Sequence, residues 1–256
     1  MSVKFVRLLN DKGVTYDSYV DLFTLIGLSG FETIEQHEMN GDTTGTVIFP
    51  MSSGNAIAMA SQKPRAFRSV CWQLERIGQN PADLTPQCFD EVWFSDRWMA
   101  DTCRQNHPCV KYVPMGSHPE FGRRSIEDKR FDFAVMSYLH GPREHKINQL
   151  KDAGYTMAPN AWGAERDSLL ASCRMGLCLH QWQNDPALEP LRATLFAAWH
   201  LPLVYEHCND HYPYRVFGLD QIADAAGEVG REVAEENWQI LNAAMPFRKC
   251  VEGALA

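Results

Sequence analysis

Arg143 and Lys146 stand three residues apart just after Gly141-Pro142, so a helix opening at that proline puts both cations on one face. Together they could meet a diphosphate, or form an ordinary solvated basic face. Arg192 repeats the arrangement two residues after Pro190, with Glu189 immediately before the proline. A helix opening there leaves the amides of Leu191 and Arg192 unpaired at the positive end of the dipole and adds a guanidinium. That is a diphosphate cradle needing no glycine-rich loop. An ordinary surface helix opens the same way, with Glu189 present only for its charge against the dipole. His180 ends an apolar run and enters the polar stretch before Glu189, where it would hydrogen-bond a sugar or phosphate, or else be a satisfied core histidine. Glu206 ends the next apolar run and reads equally as a ligand or as half of a structural ion pair. In the first half, Gly54 follows the run Thr46–Pro50, where it would admit a phosphate close to the backbone or simply turn the chain.

The elements that must position these residues alternate. Strand-like runs cover Val3–Leu9, Thr46–Pro50, Arg68–Trp72, Glu91–Ser95, Val110–Pro114, Phe131–Ser137, Gly176–His180 and Pro202–Glu206. Helical patterns fall at Tyr16–Ile26, Gly54–Ser61, Asp96–Gln105, Arg143–Ala153, Glu165–Cys173, Pro190–His200 and Gly230–Ala244. Alternation of this kind predicts an α/β protein with parallel sheets. Apolar periodicity lapses over Gly116–Arg130, which divides the chain into Rossmann-like halves at 1–120 and 121–256 facing a cleft at their strand ends. The last helix would pack back on the first half.

Composition sets the bounds. The chain has 256 residues, 45% of them hydrophobic and 22% charged, which excludes disordered and collagenous classes. No run of about 18 apolar residues offers a membrane span, and the first residues lack a signal-peptide core, so a cytoplasmic protein is expected. A net charge of −8 argues against a surface that grips nucleic acid throughout, while the cluster Arg123, Arg124, Lys129, Arg130 leaves room for a local basic patch. The eight cysteines lack C-x2-C spacing and read as reduced thiols, with no metal site expected. No G-x-G-x-x-G follows the first strand, which weakens a dinucleotide reading, although a flavodoxin-like or epimerase-like α/β enzyme fits the alternation.

The series Ser137-Tyr138-Leu139-His140-Gly141-Pro142-Arg143-Glu144-His145-Lys146, then Glu165-Arg166-Asp167, Met175–His180, Glu189-Pro190-Leu191-Arg192 and Leu203-Val204-Tyr205-Glu206 resembles the nucleotide-sugar half of GT-B glycosyltransferases, the glycosyl transferases group 1 family. Gln73-Leu74-Glu75, Val92–Ser95 and Val113–Gly116 resemble landmarks of its first half. The resemblance implies transfer of a hexose or pentose from a nucleotide sugar, most simply a UDP-sugar, to a hydroxyl, with retention and without a metal or other cofactor. It implies donor contacts from Gly54, Ser137, Arg143, Lys146, His180, Glu189, Leu191, Arg192 and Glu206, with His180 and Glu189 closest to the chemistry. Glu75 and Trp182 are further implied contacts. His37, Glu38 and Asp42 are candidate bases should the reaction invert. The family's ribose-binding Glu in the helix after Glu189 is here Leu195, which also motivates a non-catalytic nucleotide-sugar-binding module. The short chain resembles phage enzymes that glycosylate hydroxymethylpyrimidines in DNA, so DNA is the expected acceptor, ahead of a surface glycan or small molecule.

Overall fold

A computed structural model describes residues 2–7, 19–62, 64–74, 82–122, 128–137, 139–161, 163–180 and 189–256. Arg123, Arg124, Tyr138, Glu75 and Trp182 lie outside the described residues. The chain divides into two units, Met1–His118 with Phe247–Ala256, and Pro119–Pro246. Among the described residues no helix is long and apolar enough to cross a membrane.

The first unit carries β1 (Val3–Arg7), α1 (Val20–Leu28), β2 (Glu32–Glu35), β3 (Gly45–Phe49), α2 (Gly54–Ser61), β4 (Phe67–Gln73), β5 (Glu91–Phe94), α3 (Arg97–Cys103) and β6 (Val110–Tyr112). The strands form one parallel sheet in the order β2-β1-β3-β4-β5-β6. Its central strands are apolar on both faces: Val47, Ile48, Phe49, Val70, Cys71 and Trp72 are all fully buried, as a parallel sheet covered by crossover helices requires. The edge strand β2, Glu-Thr-Ile-Glu, has a single large apolar residue, which is why hydrophobic patterning passes over it.

The second unit carries β7 (Phe131–Ala134), α4 (Pro142–Asp152), α5 (Gly163–Ala171), β8 (Cys173–Cys178), α6 (Pro190–Ala198), β9 (Leu203–Tyr205), β10 (Phe217–Gly218), α7 (Ile222–Ala226) and α8 (Glu228–Gln239), which runs on into a π-helical turn at Ile240–Ala244. Its sheet is again parallel, in the order β10-β9-β8-β7. Phe133, Ile147, Met175, Leu177, Val204 and Val233 lie in its core. A Cβ on Gly176 would stand 2.3 Å from the Phe196 ring, so the glycine lets α6 lie directly on β8. The parallel α/β architecture is the one the alternating pattern predicts.

The chain's last helix belongs to the first unit, and it lies beyond the last helical pattern read from the sequence. The Gly230–Ala244 segment stays in the second unit, and α9 (Phe247–Leu255) belongs to the first. Phe247 is fully buried against Phe5, Phe31 and Trp72, at centroid distances of 6.1, 6.2 and 5.8 Å. Arg248 donates through Nε to the Ser29 carbonyl at 2.9 Å, and Lys111 Nζ donates to the Ala254 carbonyl at 2.6 Å, near the helix C-terminus where a cation is favoured. Phe247→Ala is expected to cost about 3–5 kcal/mol, the usual range for emptying a buried aromatic site. Calorimetry should show a lower Tm for the variant, and an unchanged Tm would mean that α9 is not part of the first unit's core.

Candidate active site

In a parallel sheet with crossover helices, the carboxyl ends of the strands and the N-termini of the following helices gather on one side, and ligands bind there. The second unit places most of the sequence-derived candidates at that end. Ser137 follows β7, His180 follows β8 and Glu206 follows β9. Arg143 and Lys146 lie on the first turns of α4, while Glu189, Leu191 and Arg192 open α6. Both helices begin with proline at the first turn, as Gly141-Pro142 and Glu189-Pro190 predict. Glu189 is the N-cap residue, and its side chain makes no capping hydrogen bond, although its charge still stands at the positive end of the α6 dipole.

Its carboxylate instead meets the two guanidiniums. Oε1 lies 3.3 Å from Arg143 Nη2, and Oε2 pairs with Arg192 Nη1. Arg143 also donates through Nε to the Leu179 carbonyl at 3.0 Å, and Arg192 Nη1 reaches the same carbonyl at 3.4 Å. Arg143 is 3% exposed. That burial, and then the nearby Arg192 charge, holds its pKa below the ordinary value, while Glu189 opposes the shift. Lys146 pairs with Glu206 Oε1, and the other Glu206 oxygen accepts the His180 amide at 3.3 Å. Lys146 thus faces a carboxylate partner rather than forming a bare solvated basic face.

His180 is buried, and its Nε2 donates to the His207 carbonyl. A carbonyl can only accept, so that bond places a proton on Nε2. Nδ1 is buried and has no hydrogen-bond partner among the described residues, and the same holds for the buried Ser137 Oγ. Buried polar atoms are normally paired, and the described residues supply a partner to neither. Just before Ser137, Met136 adopts a φ of 46°, uncommon outside glycine, and turns the chain directly after β7.

Other candidates lie elsewhere. Gly54 belongs to the first unit, at the start of α2, where Ser53 Oγ accepts the Ala56 amide at 3.2 Å. An added Cβ at Gly54 would meet nothing within 4 Å, so packing does not demand glycine there. His37 and Glu38 sit in the short turn after β2; Glu38 Oε2 accepts the Glu35 amide at 3.0 Å, while the Asp42 amide donates to Asn40 Oδ1 at 2.9 Å. Of the basic run, Lys129 Nζ donates to the Cys173 carbonyl at 2.6 Å, and the Arg130 amide donates to the Ser172 carbonyl at 2.9 Å. Both residues therefore lie at the amino ends of β7 and β8, opposite the site. Leu195 is buried in α6 and belongs to the apolar packing of the helix. The Leu179 carbonyl, which accepts from both guanidiniums, carries no side-chain signal that sequence patterning could register.

Two parallel α/β units, the second with three cations gathered at its strand ends, suit a fold of the GT-B type, and comparison with solved structures agrees. AviGT4, a glycosyltransferase involved in avilamycin A biosynthesis, is 15% identical with a TM-score of 0.62, over 100% of this chain and 97% of that one. T4 phage β-glucosyltransferase in complex with UDP and Mn2+ is 14% identical with a TM-score of 0.61, over 99% and 97%. The lipopolysaccharide outer core galactosyltransferase WaaB is 8% identical with a TM-score of 0.53, over 100% and 99%. The chain therefore has the GT-B fold. No family model matches it. An uncharacterised protein of Acanthamoeba polyphaga mimivirus, L140, is 32% identical over 81 residues, 30% of this chain and 27% of that protein's length.

The thiols at the two ends of β8 are buried. Burial pushes both Cys173 and Cys178 up to about 12 from an ordinary 9.0. The folded chain keeps protons that the unfolded chain loses above its ordinary thiol pKa, so stability is full below that value and falls as pH rises toward 12. Iodoacetamide at mildly alkaline pH is expected to label neither cysteine until the protein unfolds. Rapid labelling of Cys178 in the native state, mapped by peptide mass, would contradict the buried-thiol assignment.

Proposed function

We propose that the chain transfers a sugar from a UDP-sugar to a hydroxyl acceptor, with the donor diphosphate at the carboxyl end of the second unit's sheet. The observation that carries this reading is the convergence of Arg143 and Arg192 on one carbonyl between the N-termini of α4 and α6. Arg143, Arg192 and Lys146 would stabilise the charge that develops on the departing diphosphate, assisted by the first-turn amides of α6 from Leu191 onward. His180 Nδ1 and Ser137 Oγ would take sugar or ribose hydroxyls, and Glu189 and Glu206 would accept from others. Catalysis then rests on positioning and electrostatics. In this reading no metal is required, because three cations would already face the diphosphate. T4 β-glucosyltransferase was observed with UDP and Mn2+, so the assay is run with EDTA and with Mn2+.

We read the transfer as retaining and the acceptor as a hydroxymethylpyrimidine in DNA. Likeness to a phage DNA-modifying β-glucosyltransferase supports that acceptor. The described basic residues at the amino ends of β7 and β8 do not, since Lys129 is bonded to carbonyls. Reduced thiols and a nucleotide-sugar donor fit a cytoplasmic setting. A non-catalytic donor-binding module is the second reading, favoured by the burial of Leu195 where the family carries a ribose-binding Glu.

The test incubates the protein with UDP-glucose and other UDP-sugars, with duplex DNA containing hydroxymethylcytosine and with small hydroxyl acceptors, and scores product mass and anomeric configuration. Transfer is expected, and Arg192→Ala should lower kcat by about 10²–10³, as for loss of one preorganised charge-stabilising donor. Donor binding without transfer or donor hydrolysis would favour the module. Transfer only to small hydroxyls would remove the DNA acceptor, and an inverted product would remove retention.

A further inference from the structure

Glu189 occupies the place where an external anion would bind. Its two carboxylate oxygens face the two guanidiniums at the N-terminus of α6, one at 3.3 Å from Arg143 and the other paired with Arg192. Neither oxygen caps its own helix, and the side chain is 28% exposed, so the carboxylate sits at the surface of a site whose Arg143 is 4% exposed. A carboxylate and a phosphate oxygen make the same charge-assisted contacts with guanidinium. Any anion entering between Arg143 and Arg192 must therefore displace one that the chain itself supplies.

We propose that Glu189 is a resident anion that sets ligand selectivity at this site, excluding simple anions such as phosphate and pyrophosphate and yielding only to a ligand with further contacts. This rests on the donor-binding reading above. An intramolecular carboxylate competes at a high effective concentration. Pyrophosphate brings only its charge to that competition. A UDP-sugar also brings a nucleoside and a sugar, and the unpartnered His180 Nδ1 and Ser137 Oγ provide places for hydroxyls. Binding energy from those remote groups offsets the loss of the Glu189 contacts. Once the sugar has left, Glu189 can again compete with the diphosphate, which shortens the residence of the product. Glu206 stands apart from this exchange, because its partners are Lys146 and the His180 amide.

The test is calorimetric titration of pyrophosphate and of UDP into the wild type, Glu189→Gln and Glu189→Asp. Glutamine keeps the size and an acceptor oxygen but removes the charge. Aspartate keeps the charge but shortens the reach, and it guards against a fold defect peculiar to the amide. Pyrophosphate should bind Glu189→Gln about tenfold or more tightly than the wild type, the change expected when a competing charge-assisted contact is removed. Glu189→Asp should fall between the two. UDP should tighten alongside pyrophosphate, and UDP should become a stronger product inhibitor of the Gln variant. Equal or weaker pyrophosphate binding by a folded Glu189→Gln, with UDP still binding the wild type, overturns the resident-anion role alone. Absence of UDP and pyrophosphate binding from all three proteins overturns the donor-binding reading, and this inference with it.

Discussion

Arg143 is a permanent charge taken out of water, and the carboxyl end of the second sheet is arranged around that fact. A buried cation is tolerated only with hydrogen-bond partners of the right geometry and an opposing charge nearby. Arg143 finds the Leu179 carbonyl just beyond β8 and the Glu189 carboxylate at the entry to α6. One side chain on α4 thereby touches both the residue just beyond β8 and the residue that opens α6. Arg192 repeats the contact with Leu179 from the other helix, so the two helix N-termini are tied to one backbone oxygen. Removing Glu189 without removing Arg143 leaves a buried guanidinium with less to balance it.

The remainder of the site follows from strand direction. Parallel strands deliver Ser137, His180 and Glu206 to the same edge, and each crossover returns with a helix whose N-terminus faces that edge. Glu206 links two neighbours by accepting from Lys146 on α4 and from the His180 amide. His180 is oriented in turn by the His207 carbonyl, which accepts from its Nε2. The first unit uses the same geometry with different side chains. There the buried Gln73, at the end of β4, donates through Nε2 to Ser52 Oγ at 2.5 Å and to the Leu84 carbonyl at 3.0 Å, holding the loop that leads into α2.

Much of this was legible in the amino-acid sequence because the chemistry and the folding signals coincide. Pro142 and Pro190 mark helix entries, and the cations beside them stand on the first turns of those helices. The strands that end at the site are apolar runs broken by a polar residue, so His180 and Glu206 stand out at the break. What could not be read depends on distant parts of the chain. The pairing of Glu189 with Arg143 spans 46 residues, and nothing local distinguishes it from a carboxylate waiting for solvent. The Leu179 carbonyl has no residue-type signature. Helix α9 was missed because its buried face amounts to Phe247 and Val251, too little periodicity to register until the aromatic cluster of Phe5, Phe31 and Trp72 receives it. Of the basic run, Lys129 is bonded to the Ala171 and Cys173 carbonyls, a pairing across more than 40 residues that no local pattern announces.

The central claim, that a nucleotide diphosphate sits between the N-termini of α4 and α6, is tested most directly by amide hydrogen exchange with and without UDP. First-turn amides have no acceptor within their own helix and exchange quickly unless a ligand takes them. Saturating UDP should slow exchange at the start of α6, from Leu191, and at the start of α4, from Arg143, more than anywhere else in the second unit. Protection confined to other segments, with these two helix starts unchanged at saturation, would contradict the account.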